Sequence, residues 1–276
     1  MIISVTLVPP SSTPLPVSVV IVARNEAAHL RRCLASVQGW VGEIVVVLNE
    51  TTDDSASIAG QHGARVFETE WQGFRETKNL ALAKATQPWV LALDADEEVS
   101  SALRDEIVRC FSAEGGPARI AGADFPRKSW FLGRWILHGD WYPDRCLRLF
   151  RLDAGRWGGD PAHTQVRVQG PVAHFHSDLH HYSYPTLPAQ VWKMSRQSDD
   201  FLRHQAALGR HWSLGHALFR PVWRFVRAYV LRGGFLDGYP GFYIAASTAF
   251  GTLLRYSRLY EAERLKEPRM DSAPHA

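Results

Sequence analysis

The chain has 276 residues, 46% of them hydrophobic, and a formal net charge of +3. That length can bury one large core, or a core with an appendage, and so small a charge excludes a general polyanion-binding role, so no nucleic-acid partner is expected. The charge is unevenly spread: residues 1–184 carry 18 Lys+Arg against 21 Asp+Glu, and residues 185–276 carry 13 against 7, so the two parts are expected to meet different partners.

Cys33, Cys110 and Cys146 are odd in number and far apart. That pattern is no disulfide framework and points to a reducing compartment. Residues 1–15 begin apolar, but no basic segment comes first and Pro9, Pro10 and Pro14 interrupt them. They read as a flexible N-terminus, not a signal peptide. No run reaches the ~18 apolar residues of a spanning helix.

From residue 16 strands and helices alternate. VSVVIVA (17–23) is β-branched and continuous, as a strand buried on both faces should be. RNEAAHLRRCLASVQ (24–38) follows as a helix with Leu30, Leu34 and Val37 on one face and Asn25 as its expected N-cap. EIVVVL (43–48) is a second strand, residues 51–63 a second helix, ARVFE (64–68) a third strand and residues 73–86 a third helix, with Leu80, Leu82 and Ala83 expected inward. WVLAL (89–93) is a fourth strand and SSALRDEIVRCF (100–111) a fourth helix. This order predicts an α/β, Rossmann-like, mostly parallel sheet with right-handed crossovers.

The fourth strand runs into Asp94, Asp96, Glu97 and Glu98. In open α/β sheets ligands bind beyond the carboxyl ends of the strands. Carboxylates two residues apart there can aim at one hard cation, which would cancel their repulsion. The alternative is that Asp94 caps the next turn and the others form a solvated face. After the first strand, Arg24, Asn25 and Glu26 open a helix whose N–H groups suit an anion or a nucleotide edge. After the third, Gly73 allows a close approach, and Arg75 and Lys78 either face a diphosphate or are surface cations.

These segments, VSVVIVARNE, EIVVVLNETTDDS, WQGFRETKNLALAKA and WVLALDADEEVS, resemble glycosyltransferase family 2 in order and spacing. The longer pattern through WYPDRCLRLFRLDAGRW, LHHYSY and RPVWRFVRAYVLRGGFLDGYPGF is similar to its lipopolysaccharide-core β-glucosyltransferase branch. The resemblance implies a GT-A fold and inverting transfer of a sugar, with a UDP-hexose the sharpest form of the donor, onto a glycolipid acceptor. It matches Asp94 and Asp96 to the family's DXD motif, which holds Mg2+ or Mn2+ on the donor diphosphate. It assigns Ala23, Asn25, Glu26, Gly73, Lys78, Asp94 and Ala95 to the donor.

Two departures from the family pattern stand out. The usual Asp at the end of the second strand is Leu48, so Asn49 or Asp53 is the replacement for the nucleoside contact, and an ADP-heptose or dTDP-sugar donor stays open. The family places a carboxylate directly after a His as the base that deprotonates the acceptor hydroxyl, but Thr164 follows His163. Asp160 and Asp144 are the candidate bases; with neither, the protein would bind a nucleotide sugar without turnover. A phosphohydrolase of nucleotide diphosphates is a further rival. Trp141, Tyr142 and His163 are acceptor-site candidates, since aromatic rings stack on sugar faces as often as they fill cores.

His174, His176, His180 and His181 lack the surroundings of a known zinc motif, and one of them is expected to line the acceptor or diphosphate side. The expected organisation is a catalytic domain over 16–184, with a nucleotide-sugar half (16–112) and an acceptor half (113–184), then a helical region (185–265) and a disordered tail (266–276). Residues 188–212 read as a helix. In RPVWRFVRAYVLR (220–232), Val222, Trp223, Val226, Tyr229 and Val230 form one stripe and Arg220, Arg224 and Arg227 another. Such a basic amphipathic helix suits an anionic membrane surface, which implies a cytoplasmic protein held on the inner face of a bacterial inner membrane. The alternative is a packed helix with a solvated arginine face.

Overall fold

The computed structural model describes residues 13–159 and 164–265. Asp160 and His163 therefore lie outside the described residues, as do the tail from 266 and most of the N-terminal segment.

The first strand, β1 (Leu15–Ala23), places Val17, Val19 and Ile21 in the interior with no exposed surface. Each such side chain contributes roughly 1.5–3 kcal/mol by leaving water. Next come α1 (Ala27–Val37), β2 (Val41–Asn49), α2 (Ser55–Gln61), β3 (Arg65–Thr69), α3 (Phe74–Leu82), β4 (Trp89–Asp94), β5 (Glu97–Val99) and α4 (Ser101–Ser112). Leu30, Leu34 and Val37 of α1 are buried, as the helical period predicts, and Ser100 caps α4 by accepting from the Leu103 N–H. Ala83 is exposed just past the end of α3, where Ala81 and Leu82 take the inward positions.

Two expected details are corrected. Asn25 does not cap α1: Glu26 is the N-cap residue, and Asn25 sits at φ 52, in the left-handed region that an Asn tolerates better than most residues. The sheet is also less parallel than expected. The later strands are β6 (Gly122–Phe131), β7 (Arg134–Trp135), β8 (Asp144–Arg151), β9 (Gly155–Gly158), β10 (Gln165–Val168), β11 (Val172–His174) and β12 (Leu179–His181), and the order of the main sheet is β3-β2-β1-β4-β8-β6-β12-β5, with β7 and β11 also pairing with β6. The first four strands are parallel, but β8 runs antiparallel to β4, and β12 antiparallel to β5. The strands β9 and β10 form a separate antiparallel pair.

The chain divides into two compact units. The first comprises the described residues up to Arg127 together with Arg145–His181. The second comprises Lys128–Asp144 and the described residues from Tyr182 onward, so a piece of the 113–184 half belongs with the C-terminal helices. Those helices are α5 (Leu187–Ala207), α6 (Leu214–Val226) and α7 (Gly238–Leu265), with a π-helical turn at Arg227–Leu231. The second unit has its own core of Phe131, Ile136 and Ile244, flanked by Trp141 and Tyr184. Buried Asp237 accepts from the Leu137 and His138 N–H groups at 3.1 and 2.8 Å, tying the 134–138 segment to the start of α7. Among the described residues no helix is long and apolar enough to cross a membrane.

Candidate active site

The parallel register brings four strand ends level. Ala23 pairs with Leu48, Val22 with Asp94, and Asn49 with Thr69. The loops leaving β1, β2, β3 and β4 therefore open on one edge, where α/β sheets bind ligands.

The first two loops are fastened together. Asn25 Oδ1 accepts from the Thr52 N–H at 2.8 Å. Asp53 Oδ2 accepts from the Ala27 N–H at 2.9 Å, and its Oδ1 accepts from the Ser55 N–H and hydroxyl at 3.0 and 2.6 Å. Ser55 Oγ in turn accepts from the Glu26 N–H at 3.1 Å. Asp53, from the loop after β2, thus supplies the capping acceptor that α1 lacks in its own sequence. Desolvation opposes its charge, but the bonds from Ser55 and Ala27 together outweigh it and hold its carboxyl below the usual range. Asp53→Ala is expected to cost about 1 kcal/mol, as loss of a cap does, and to lower Tm by roughly 2–4 °C in a thermal melt. Asn49, the other candidate for the nucleoside contact, is buried at the end of β2.

At the end of β4, the acidic cluster is compensated by protein cations. Asp94 Oδ1 accepts from Lys78 Nζ at 2.6 Å, and its Oδ2 pairs with Arg148 of β8. Arg148 also donates to Glu97 Oε1 at 2.8 Å, and Arg127 donates to the same oxygen at 2.9 Å. Glu97, with no exposed side-chain surface, closes the turn by accepting from the Asp94 N–H at 2.9 Å. Burial alone would raise the Asp94 pKa, but the charges of Arg148 and then Lys78 hold it well below the carboxylate range. The same burial, followed by the charges of Glu97, Asp96 and Asp94, pushes the neighbouring Cys33 thiol well up, which makes it an inert core thiol.

Pairing of β12 with β5 sets His181 opposite Glu97 and His180 opposite Glu98. His181 Nε2 lies 3.3 Å from Asp96 Oδ2, and His180 Nδ1 lies 3.8 Å from Glu98 Oε2. The other histidines go elsewhere: His174 Nδ1 is 2.9 Å from Asp124 Oδ2, and the His176 N–H donates to Glu106. No three His, Cys, Asp or Glu side chains form a metal cage among the described residues. Asp96 nevertheless offers a carboxylate of the type Mg2+ and Mn2+ take, with the His181 imidazole beside it as a nitrogen that the softer Mn2+ accepts more readily than Mg2+, and a diphosphate would supply further oxygens.

Trp157 of β9 forms one wall, with Lys78 Nζ 4.3 Å and the Arg148 guanidinium 5.5 Å from its ring centroid. Asn79 holds it there by exchanging two hydrogen bonds of 3.0 Å with the Trp157 backbone. Gly73, at φ 99, is the N-cap of α3, and a β-carbon there would meet Glu76 at 3.0 Å. Arg75 pairs with Glu76 and donates to the Gly159 carbonyl at 3.3 Å, immediately before Asp160. Asp144 is the exposed first residue of β8. Trp141 stacks on Tyr184 with centroids 5.2 Å apart in the core of the second unit, and Tyr142 is half-buried beside it in sequence.

Sequence reasoning missed Arg148, Glu97, Arg127, Trp157 and the individual role of His181. Of these, Arg148 left a local signal, as a cation between Leu147 and Leu149 in the middle of a strand whose other charges, Asp144, Arg145 and Arg151, stand toward its ends.

Lys78, Arg148, Asp94, Asp96 and His181 thus gather at the edge where the parallel strands end, the place where α/β sheets bind ligands. The chain belongs to glycosyl transferase family 2, whose family model matches residues 18–167, and it is a glycosyltransferase built on a mixed α/β sheet with flanking helices. It is 28% identical over 262 residues to an uncharacterized glycosyltransferase of Rickettsia felis, covering 89% of this chain and 90% of that one. It is 27% identical over 267 residues to the lipopolysaccharide core biosynthesis glycosyltransferase LpsC of Rhizobium meliloti, covering 94% and 97%. Among solved structures, the mannosyltransferase PcManGT of Pyrobaculum calidifontis, in complex with GDP-Man and Mn2+, aligns with a TM-score of 0.48 at 16% identity, covering 93% of this chain and 90% of that one.

Proposed function

We propose that the protein moves a hexose from a UDP-sugar, with inversion, onto a lipopolysaccharide-core or similar glycolipid acceptor, working peripherally on the cytoplasmic face of a bacterial inner membrane. The observation that carries this reading is the set of cations and carboxylates at the end of β4: Lys78 and Arg148 around Asp94, with Asp96 and His181 beside them. The full-length similarity to LpsC supports the acceptor class.

Breaking the bond between the sugar and the diphosphate builds negative charge on the leaving group. Lys78 and Arg148 are fixed cations for that charge, and their positions are set before substrate arrives, by Asp94, Glu97 and Trp157. Asp96 and His181 are the residues that would hold Mg2+ or Mn2+, which when bound supplies Lewis-acid stabilisation of the diphosphate. The acceptor hydroxyl needs a carboxylate on the opposite face, and Asp160 or Asp144 takes that proton. A second reading, a donor with a different base, draws on Asn49 being buried and Asp53 being engaged as a cap.

Calorimetric titration of UDP-, ADP-, GDP- and dTDP-sugars, with and without Mn2+, tests both readings. One nucleotide is expected to bind, to need the metal, and to bind at least tenfold more weakly to Asp96→Ala. Binding indifferent to both Mn2+ and Asp96 would overturn the proposal.

A further inference from the structure

The arginine stripe of α6 and the turn that follows it is only partly solvated, because a buried carboxylate draws on it. Asp140, almost wholly buried, accepts from Arg227 at 2.9 and 3.0 Å and from Arg232 at 3.1 Å. Arg224 Nε also lies 2.8 Å from an Asp140 oxygen, without the alignment of a hydrogen bond. Arg220, Arg224 and Arg227, together with Arg255 of α7, line a cavity of about 460 Å³ within the second unit. No Asp or Glu lines it; of the four guanidinium groups only Arg224 and Arg227 reach the one carboxylate behind them, which Arg232 also uses, and Arg220 and Arg255 have no carboxylate partner among the described residues.

That balance leaves the cavity short of negative charge. The buried Nε atoms of Arg227 and Arg255 have no hydrogen-bond acceptor. Burial, then the neighbouring Arg227, Arg255 and Arg232, push the Arg224 guanidinium below its ordinary value despite Asp140, and burial does the same to Arg255. Crowding cations in a partly dry site is costly unless an anion joins them. A phosphate is the anion that forked guanidinium donors match best.

The same two helices also present an apolar side. Pro221, Val222 and Phe225 of α6 and Ala249, Phe250 and Leu253 of α7 line a second groove, of about 420 Å³. Phe219, Val222 and Trp223 are 76%, 64% and 58% exposed, and Trp223 is also a wall of the arginine cavity. Contiguous aromatic and aliphatic exposure of this extent marks a surface meant to be covered. A soluble phosphorylated sugar would use the cavity and leave that apolar surface bare; an amphiphile uses both.

We propose that the arginine cavity binds the phosphate head of an anionic membrane lipid, with the exposed Phe219 and Trp223 beside it meeting the hydrocarbon. The site turns general attraction to a negative membrane into recognition of an individual headgroup. It is separate from the donor site and does not depend on the reading of the donor.

Flotation of the full-length protein with phosphatidylcholine vesicles, with and without phosphatidylglycerol, tests this. The double variant Arg220→Gln/Arg255→Gln removes two cavity cations that hold no ion pair among the described residues. Arg210→Gln/Arg264→Gln removes the same charge from the exposed surface. The wild type is expected to float only with phosphatidylglycerol. The cavity pair should weaken binding roughly tenfold or more and the surface pair by no more than about threefold, with Tm and nucleotide-sugar binding unchanged in both. Equal losses in the two pairs would mean diffuse electrostatics and overturn the site. So would flotation that ignores phosphatidylglycerol. Binding of soluble glycerol phosphate that is lost with the cavity pair, without any flotation, would overturn the lipid as ligand.

Discussion

Lys78→Met is expected to lower sugar transfer roughly 10²–10³-fold, mostly in kcat, while the protein stays folded. The magnitude is that of removing one preorganised donor from the site where charge develops. Lys78 is placed for that work, with Nζ 2.6 Å from Asp94 and 4.3 Å from the centroid of the Trp157 ring, on a side chain only 16% exposed. The fold should tolerate the change because Asp94 keeps Arg148 as its second cation. Initial rates of nucleotide release at saturating donor, measured beside Tm, separate two roles. A large fall in kcat with Tm within a few degrees assigns Lys78 to the leaving diphosphate. A wild-type rate with a lowered Tm would make Lys78 a structural counter-ion of Asp94 and nothing more.

This separation matters because the acidic turn has two reasons to exist. From the sequence, four carboxylates in five residues call for a cation, and a metal is the obvious one. The structure adds protein partners, Lys78, Arg148, Arg127, His181 and His180, and all but Lys78 come from 30 or more residues away. Ion pairs of that separation leave almost no trace in a local reading. The first four strands and helices were legible because their signals are local: continuous β-branched runs, a 3.6-residue period, and the Ser100 cap. Asn25 failed as a cap because the capping acceptor, Asp53, comes from the next loop. The short strands of the rest of the sheet were illegible because β5, β11 and β12 have three residues each and β7 only two, too few to show a period. The arginine stripe was legible in α6, but its buried partner Asp140 was not, since Asp140 precedes Arg224 and Arg227 by more than eighty residues.

Arg148→Met should have the largest effect on stability, about 3–5 kcal/mol, because it removes the centre of a buried charge network. Glu97 has no exposed side-chain surface, and the change leaves it with Arg127 alone as a cation, while Asp94 loses the larger of its two favourable charges. At roughly 2–4 °C per kcal/mol for a chain of this size, the apparent Tm should fall by about 10 °C. The pH dependence follows from the sign of the Asp94 shift. Its folded pKa is depressed, so its contribution to stability is fully present above the unfolded value of about 3.9 and is lost as the pH falls through the folded value. Without Arg148 the folded pKa rises toward the unfolded one, and the contribution shrinks. Urea titrations from pH 7 to pH 3 should show the gap between wild type and Arg148→Met narrowing as Asp94 protonates. The double variant Arg148→Met/Glu97→Gln should cost less than the sum of the single changes, because it removes the stranded carboxylate together with its cation. Strict additivity, with a gap constant down to pH 3, would mean that Arg148 acts by filling space beneath the site and that its charge is not what holds Asp94 ionised.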